Sequence, residues 1–100
     1  MRHPVRGGVY RRADVTHPVN VCVVSNDMLH SISPYAIVVP VLPLADELHA
    51  VQGIIHEPLD GFLSPNFITW LPQSALGDYL GAVPPDDLAY AVRTVIATIS

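Results

Sequence analysis

The sequence predicts a mainly β, α+β fold: a small barrel of about five short, largely antiparallel strands, with a short helix and a C-terminal helix packed on it. Three observations predict it. Ten prolines and six glycines are scattered through 100 residues without a repeat, which divides the chain into short elements. Valine-rich runs either alternate with polar residues or are apolar on both faces, as strands of a small core require. Only the last third changes to a helical period.

Taken in order, "GGVYRRA" (7–13) opens with a glycine pair and carries a Val9-Tyr10 couple suited to a first strand, and Asp14 to Pro18 supply turn chemistry. "VNVCVVS" (19–25) is a second strand, closed by Asn26-Asp27. "YAIVVPVL" (35–42) is a third, apolar on both faces; Pro40 inside it implies an edge position or a bulge, because proline donates nothing to the ladder. "LHAVQGIIHEPL" (48–59) is a fourth, and Asp60-Gly61 turns it into "FLSPNFITWL" (62–71). Ser74 is placed to cap a short helix running through Tyr79, with Gly81 ending it. Pro84, Pro85, Asp86 and Asp87 then start the final helix, whose core face is Leu88, Val92, Val95, Ile96 and Ile99.

At this length the chain is expected to fold as a single domain, 1–100. Half of the residues are hydrophobic and 14% charged, which excludes disorder as the default. The formal charge of −4 excludes the broad basic face of a tight non-specific nucleic-acid binder. The positive charge is local instead: Arg2, Arg6, Arg11 and Arg12 precede residue 13, Arg93 stands alone, and there is no lysine. This basic spot on an acidic body suits an anion or an acidic peptide. A lone cysteine, Cys22, in an apolar run reads as a small buried residue and allows no internal disulfide. No apolar run reaches signal-peptide or membrane-spanning length, so a soluble cytoplasmic protein without membrane contact is expected.

Five histidines invite a metal, but none pairs with cysteine or a carboxylate at zinc-site spacing, so neither metal nor cofactor is expected. His49 and His56 read as solvated residues on opposite sides of one strand. There is no G-x-S-x-G elbow and no G-x-x-x-x-G-K loop. What remains is Arg11, Arg12, His17 and Asn20 around the first loop. An arginine can hold a phosphate in a fork and a histidine can move a proton near neutrality. Together they suit RNA cleavage by its own 2′-hydroxyl, a chemistry that needs no metal.

"RGGVY" (6–10), "VCVVSND" (21–27), "SPYAIVVPV" (33–41) and the terminal stretch from Trp70 onward follow one another as in the MazF/PemK toxins of toxin-antitoxin pairs, which the chain resembles over nearly its whole length. The "AIVVPVLP" and "FITWLPQSALG" stretches also look like the related CcdB toxins, and the chain is similar to a divergent actinobacterial branch. The resemblance implies an SH3-like barrel, a homodimer, a cognate antitoxin as partner, single-stranded mRNA as substrate and metal-independent endoribonuclease activity. Proximity around the first loop, not the resemblance, points to Arg12 as the phosphate cation, His17 as the proton carrier, and Arg6, Arg11 and Asn20 as RNA contacts. Ribonuclease members carry an arginine, usually before proline, at the start of the second strand and a threonine or serine at the end of the third. Aligned on Ser25-Asn26-Asp27, this chain has Val19 at the first position; aligned on Ser33-Pro34, it has Leu42 at the second. A two-residue bulge puts His17-Pro18 in place of Arg-Pro. These departures leave an alternative: a CcdB-like or degenerate toxin that binds gyrase, another target or its antitoxin without cutting RNA. The C-terminal tryptophan of the CcdB contact is not matched, since Trp70 lies upstream in a strand and reads as core or dimer-interface material.

Overall fold

The computed structural model describes residues 3–44 and 53–99. Among these residues the strands are β1 (Gly8–Arg12), β2 (Asn20–Val23), β3 (Tyr35–Leu42), β4 (Ile54–Ile55), β5 (Gly61–Leu63), β6 (Thr69–Pro72) and β7 (Leu76–Ala82). All pairings are antiparallel, in the order β4-β5-β3-β2-β1-β7, with β6 also paired to β3. Two helices complete the fold, α1 (Asp27–Ile32) and α2 (Pro85–Ile99). The sheet curls into a half-barrel, and Gly81 of β7 lies against Pro58 of the β4–β5 loop. A Cβ at Gly81 would fall 2.6 Å from the Pro58 Cβ, and its φ of +130° also favours glycine.

β2, β3 and the first half of β1 bury both faces, which explains the near-continuous apolar sequence of these stretches. Val9, Cys22, Val39 and Val41 point to one core, capped by Ala91 and Val95 of α2 and extended by Ile55, Leu63 and Val83. Tyr10, Val21, Val23, Ala36 and Val38 point to a second core closed by Leu71 and Ala75. Ala91 is fully buried, and so small a side chain lets α2 approach the sheet closely. The expected α2 core face holds for Val95, with Leu88 and Val92 half-buried. Ile96 and Ile99 are 57% and 71% exposed instead, Ile96 because it lies about a quarter-turn off the Ala91–Val95 face and Ile99 because it ends the helix.

Pro40 is neither on an edge strand nor at a bulge. On one side it faces Val21 of β2; on the other, β3 changes neighbour from β6, paired to Tyr35–Val38, to β5, paired to Val41 and Leu42. The Pro40 carbonyl accepts from the Ser64 N–H at 3.1 Å in that gap. The missing proline N–H falls where no strand needs it.

Three further elements differ from the sequence reading. Asn26 does more than close the second strand: it caps a helix the sequence did not predict, α1, its side chain accepting from the Leu29 N–H at 3.0 Å, with Asp27 in the first turn. The 62–71 run splits into β5, a 3-10 turn at Pro65–Phe67 and β6. Ser74 starts no helix. Gln73–Ala75 is a single 3-10 turn, held by the Gln73 side-chain amide donating to the carbonyls of His30, Ser33 and Tyr35. The "LGDYLGA" that follows is β7, drawn into the ladder by β1, with irregular register on both sides of Tyr10. Gly77 permits this, since a Cβ there would meet the Arg11 carbonyl at 2.8 Å. Of the expected 48–59 strand only Ile54–Ile55 is seen among the described residues, and His49 lies outside them.

Leu63, 2% exposed, packs among Val41, Ile55 and α2, so Leu63→Ala is expected to cost about 2–5 kcal/mol in urea unfolding. Asn26→Ala, which removes only a cap, is expected to cost about 1 kcal/mol in the same assay.

Candidate functional site

The start of β2 and the end of β3 lie side by side, Asn20 opposite Val41, and with the β4–β5 loop they enclose a cleft of about 240 Å³. Pro18, Val19 and Asn20 form one wall, Val41, Leu42 and Pro43 the base, and Leu59 and Asp60 the other wall. The cleft exists because β2 and β3 run out of ladder at the same end, while the turn from Asp14 to Pro18 and the 56–60 loop rise on either side. Asn20 brings into it a side-chain carbonyl that is buried and has no hydrogen-bond partner among the described residues. A buried amide oxygen of this kind is costly unless something donates to it.

Charged groups lie at this end of the sheet, and of them Asp60 lines the cleft itself. Arg11 pairs with Asn20 across the β1–β2 ladder, and its exposed guanidinium lies 4.0 Å from Asp78. Arg12 donates its N–H to the Val19 carbonyl at 2.8 Å. The Arg12 side chain grips Asp14 in a fork, Nε to Oδ1 at 2.9 Å and Nη2 to Oδ2 at 2.7 Å. That hydrogen bond holds the Asp14 carboxyl below its ordinary range and raises the Arg12 guanidinium further. The fork uses Nε and Nη2, leaves Nη1 out of it, and makes the pair neutral overall. His17 is exposed in the loop just before Pro18. Asp60 of the opposite wall holds His56 beside it, the imidazole Nδ1 lying 2.8 Å from Asp60 Oδ1, both side chains open to solvent.

The structure thus brings Arg11, Arg12, His17 and Asn20 to one end of the sheet. Arg6 is not with them. It precedes the other end of β1, where its Nε donates to the Val24 carbonyl at 3.2 Å, and the strand between spans about 14 Å. The sequence reading passed over the His56–Asp60 pair. Its i, i+4 spacing was visible, but a helical spacing carries no weight inside a predicted strand.

Elsewhere, Ser25, His30 and Asp27 contain the residue types of a nucleophilic triad. Ser25 Oγ lies 2.6 Å from His30 Nε2 and accepts from the Ile37 N–H at 2.9 Å; His30 Nδ1 stands 3.9 Å from Asp27. With Ser25 and His30 buried, the hydroxyl faces no substrate, and the contact ties α1 to β3. Burial pushes the His30 imidazole down, opposed by the Pro4 carbonyl and Asp27. Burial likewise pushes the Cys22 thiol up to about 12, which keeps it protonated and unreactive. A second cavity of about 540 Å³ lies beside the tilted Tyr10–Tyr79 pair. Among the described residues no three histidine, cysteine or carboxylate side chains gather as a metal site. No helix among them is long and apolar enough to cross a membrane.

A curled antiparallel sheet with a C-terminal helix packed on it is a fold of the MazF class. The MazE–MazF complex of Deinococcus radiodurans has the same fold, with a TM-score of 0.84 over 100% of this chain and 98% of that one at 14% identity. An endoribonuclease from Mycobacterial species is 26% identical with a TM-score of 0.76, covering 97% of this chain and 94% of its own. An endoribonuclease from Mycobacterial species in complex with its cognate antitoxin is 26% identical with a TM-score of 0.73, covering 98% and 93%. The chain has no match among curated proteins. It belongs to the family of the type II toxin-antitoxin system toxin Rv0299, which it matches over residues 7–98.

The lowered His30 has a consequence for stability. The unfolded chain takes up a proton at His30 as pH falls through the ordinary value of 6.5, and the folded chain resists it. Stability is therefore full above that pH and declines below it until the folded imidazole also titrates. Urea unfolding at pH 7.5 and 5.5 checks this: the wild type is expected to be less stable at the lower pH, and His30→Leu to lose that part of the difference.

Proposed function

We propose that this type II toxin is a metal-independent endoribonuclease. It cuts single-stranded RNA in the cytoplasm, acts as a homodimer formed from one domain per chain, and is restrained by a cognate antitoxin. The observation that carries the proposal is that Val19 and Leu42, the positions aligned with the arginine and threonine of ribonuclease members, line the same open cleft. The 26% identity to endoribonucleases over nearly the full chain supports it. The reaction at this cleft is attack of the ribose 2′-oxygen on the adjacent phosphorus. It needs a proton acceptor, donors for the phosphorane oxygens, and a proton for the leaving 5′-oxygen.

In this chain Val19 and Leu42 supply neither charge nor protons, so the loop beside them must. Arg11, less tightly held than Arg12, attracts the RNA backbone. Arg12 offers its Nη1 donors to the phosphate, oriented by the fork with Asp14. His17 moves a proton, and Asn20 accepts from a base or a 2′-hydroxyl through its unpartnered carbonyl. Arg6 meets RNA only beyond the cleft, if the strand continues along β1. The exposed Tyr35–Trp70 pair, with ring centres 5.0 Å apart, and exposed Phe67 on the side of β6 supply an apolar face for the second subunit. The neutral Arg12–Asp14 pair favours one rival reading, a toxin that binds its target without cutting it.

The test is incubation of the antitoxin-free protein with a long natural RNA in EDTA. Cuts at a short recurring motif are expected, leaving 5′-hydroxyl and 2′,3′-cyclic phosphate ends. Arg12→Ala and His17→Gln, folded by circular dichroism, are each expected to slow cleavage by about a hundredfold or more. Intact RNA from a folded dimer points to the binding toxin. On gel filtration with light scattering, Trp70→Asp is expected to shift the protein from dimer to monomer.

A further inference from the structure

We propose that His56 is a second proton-transfer residue at the edge of this cleft, oriented by Asp60, a lining residue, and that it works with His17, which precedes the lining residue Pro18 on the facing side. The inference rests on the ribonuclease reading and deepens it by naming the base. Four observations carry it.

First, the Asp60 carboxylate can only accept, so the 2.8 Å contact places the proton of His56 on Nδ1 and leaves the Nε2 lone pair facing outward. Second, Asp60 itself lines the cleft, opposite the wall formed by Pro18, the residue after His17. Third, the 56–60 loop is fixed from beneath: Leu59 packs on the core around α2, and Pro58 seats on Gly81. A histidine on so anchored a loop is held in place instead of sweeping through solvent. Fourth, both side chains stay open, 74% and 71% exposed, which a polymer substrate crossing the surface requires. An exposed histidine–aspartate pair contributes little to stability, so folding alone gives it scant purpose.

The step balances without any other reactant. His56 Nε2 takes the 2′-hydroxyl proton, and Asp60 stabilises the imidazolium that forms. The 2′-oxygen bonds to phosphorus, the bond from phosphorus to the 5′-oxygen breaks, and the leaving oxygen takes its proton from protonated His17. The products are a 2′,3′-cyclic phosphate and a 5′-hydroxyl. His56 ends protonated and His17 neutral, and exchange with water resets both. Asp60 is a positioning residue, His56 a catalytic one.

The experiment measures cleavage of a short RNA containing the mapped cut site by the full chain, its His56→Gln, His56→Ala and Asp60→Asn variants, and wild type. Folding of each is checked by thermal unfolding. The wild-type rate is expected to fall at low pH. His56→Gln is expected to lose about a hundredfold in kcat together with that acid limb. Added imidazole is expected to restore part of the activity of His56→Ala, which a merely structural role does not allow. Asp60→Asn is expected to lower kcat by about tenfold or more with KM unchanged. Folded His56 variants that cleave at the wild-type rate with the acid limb intact overturn this inference and leave the ribonuclease standing. A wild type that leaves every RNA intact overturns both.

Discussion

The constraint on which this fold depends is the backbone of β3. Its eight residues must find hydrogen-bond partners on two sides while their side chains fill two cores. A strand in that position admits no polar side chain in its middle and no unpaired N–H, yet it contains a proline. The conflict is resolved by interrupting the neighbour: β6 serves the first half, β5 the second, and Pro40 sits at the break. The interruption frees β6 to turn away and close the second core through Leu71, while β5 leads towards α2 through Leu63. The two-core layout is thus a result of where one N–H is missing.

That dependence also explains what could be read from the amino acids. β1, β2, β3 and α2 were legible because their apolar residues sit in patterns set by their own backbones. β7 was not, because "LGDYLGA" has no strand pattern of its own and is recruited by the open side of β1. α1 was hidden for the opposite reason. The side chain it buries is His30, and its apolar residues Met28 and Ile32 point to solvent, so hydrophobic periodicity was silent. Its cap, Asn26, was visible but reads equally well as a turn.

The candidate site divides in the same way. Residues near one another in sequence, Arg11, Arg12, His17 and Asn20, could be grouped from the chain alone. The tight bond from Arg12 to Asp14 could not, since a two-residue separation says nothing of side-chain direction, and it changes Arg12 from a free cation into half of a neutral pair. Nor could the opposite wall, forty residues on, be placed beside the first loop without the β3–β5 pairing that carries it there. Family resemblance identified two key positions as apolar; only the ladder shows that they line one cleft.

Both faces of β2, β3 and the first half of β1 being committed to packing has one more consequence. Substitution in the strand middles disturbs two cores at once, whereas exposed residues at the ladder ends, such as Arg11, Asp14 and His17, carry little packing load. Such a body admits substitution at its rims, where a proton carrier or a cation can be exchanged without emptying either core. The cleft lies at such a rim, so its chemistry can change while the shape of the barrel holds.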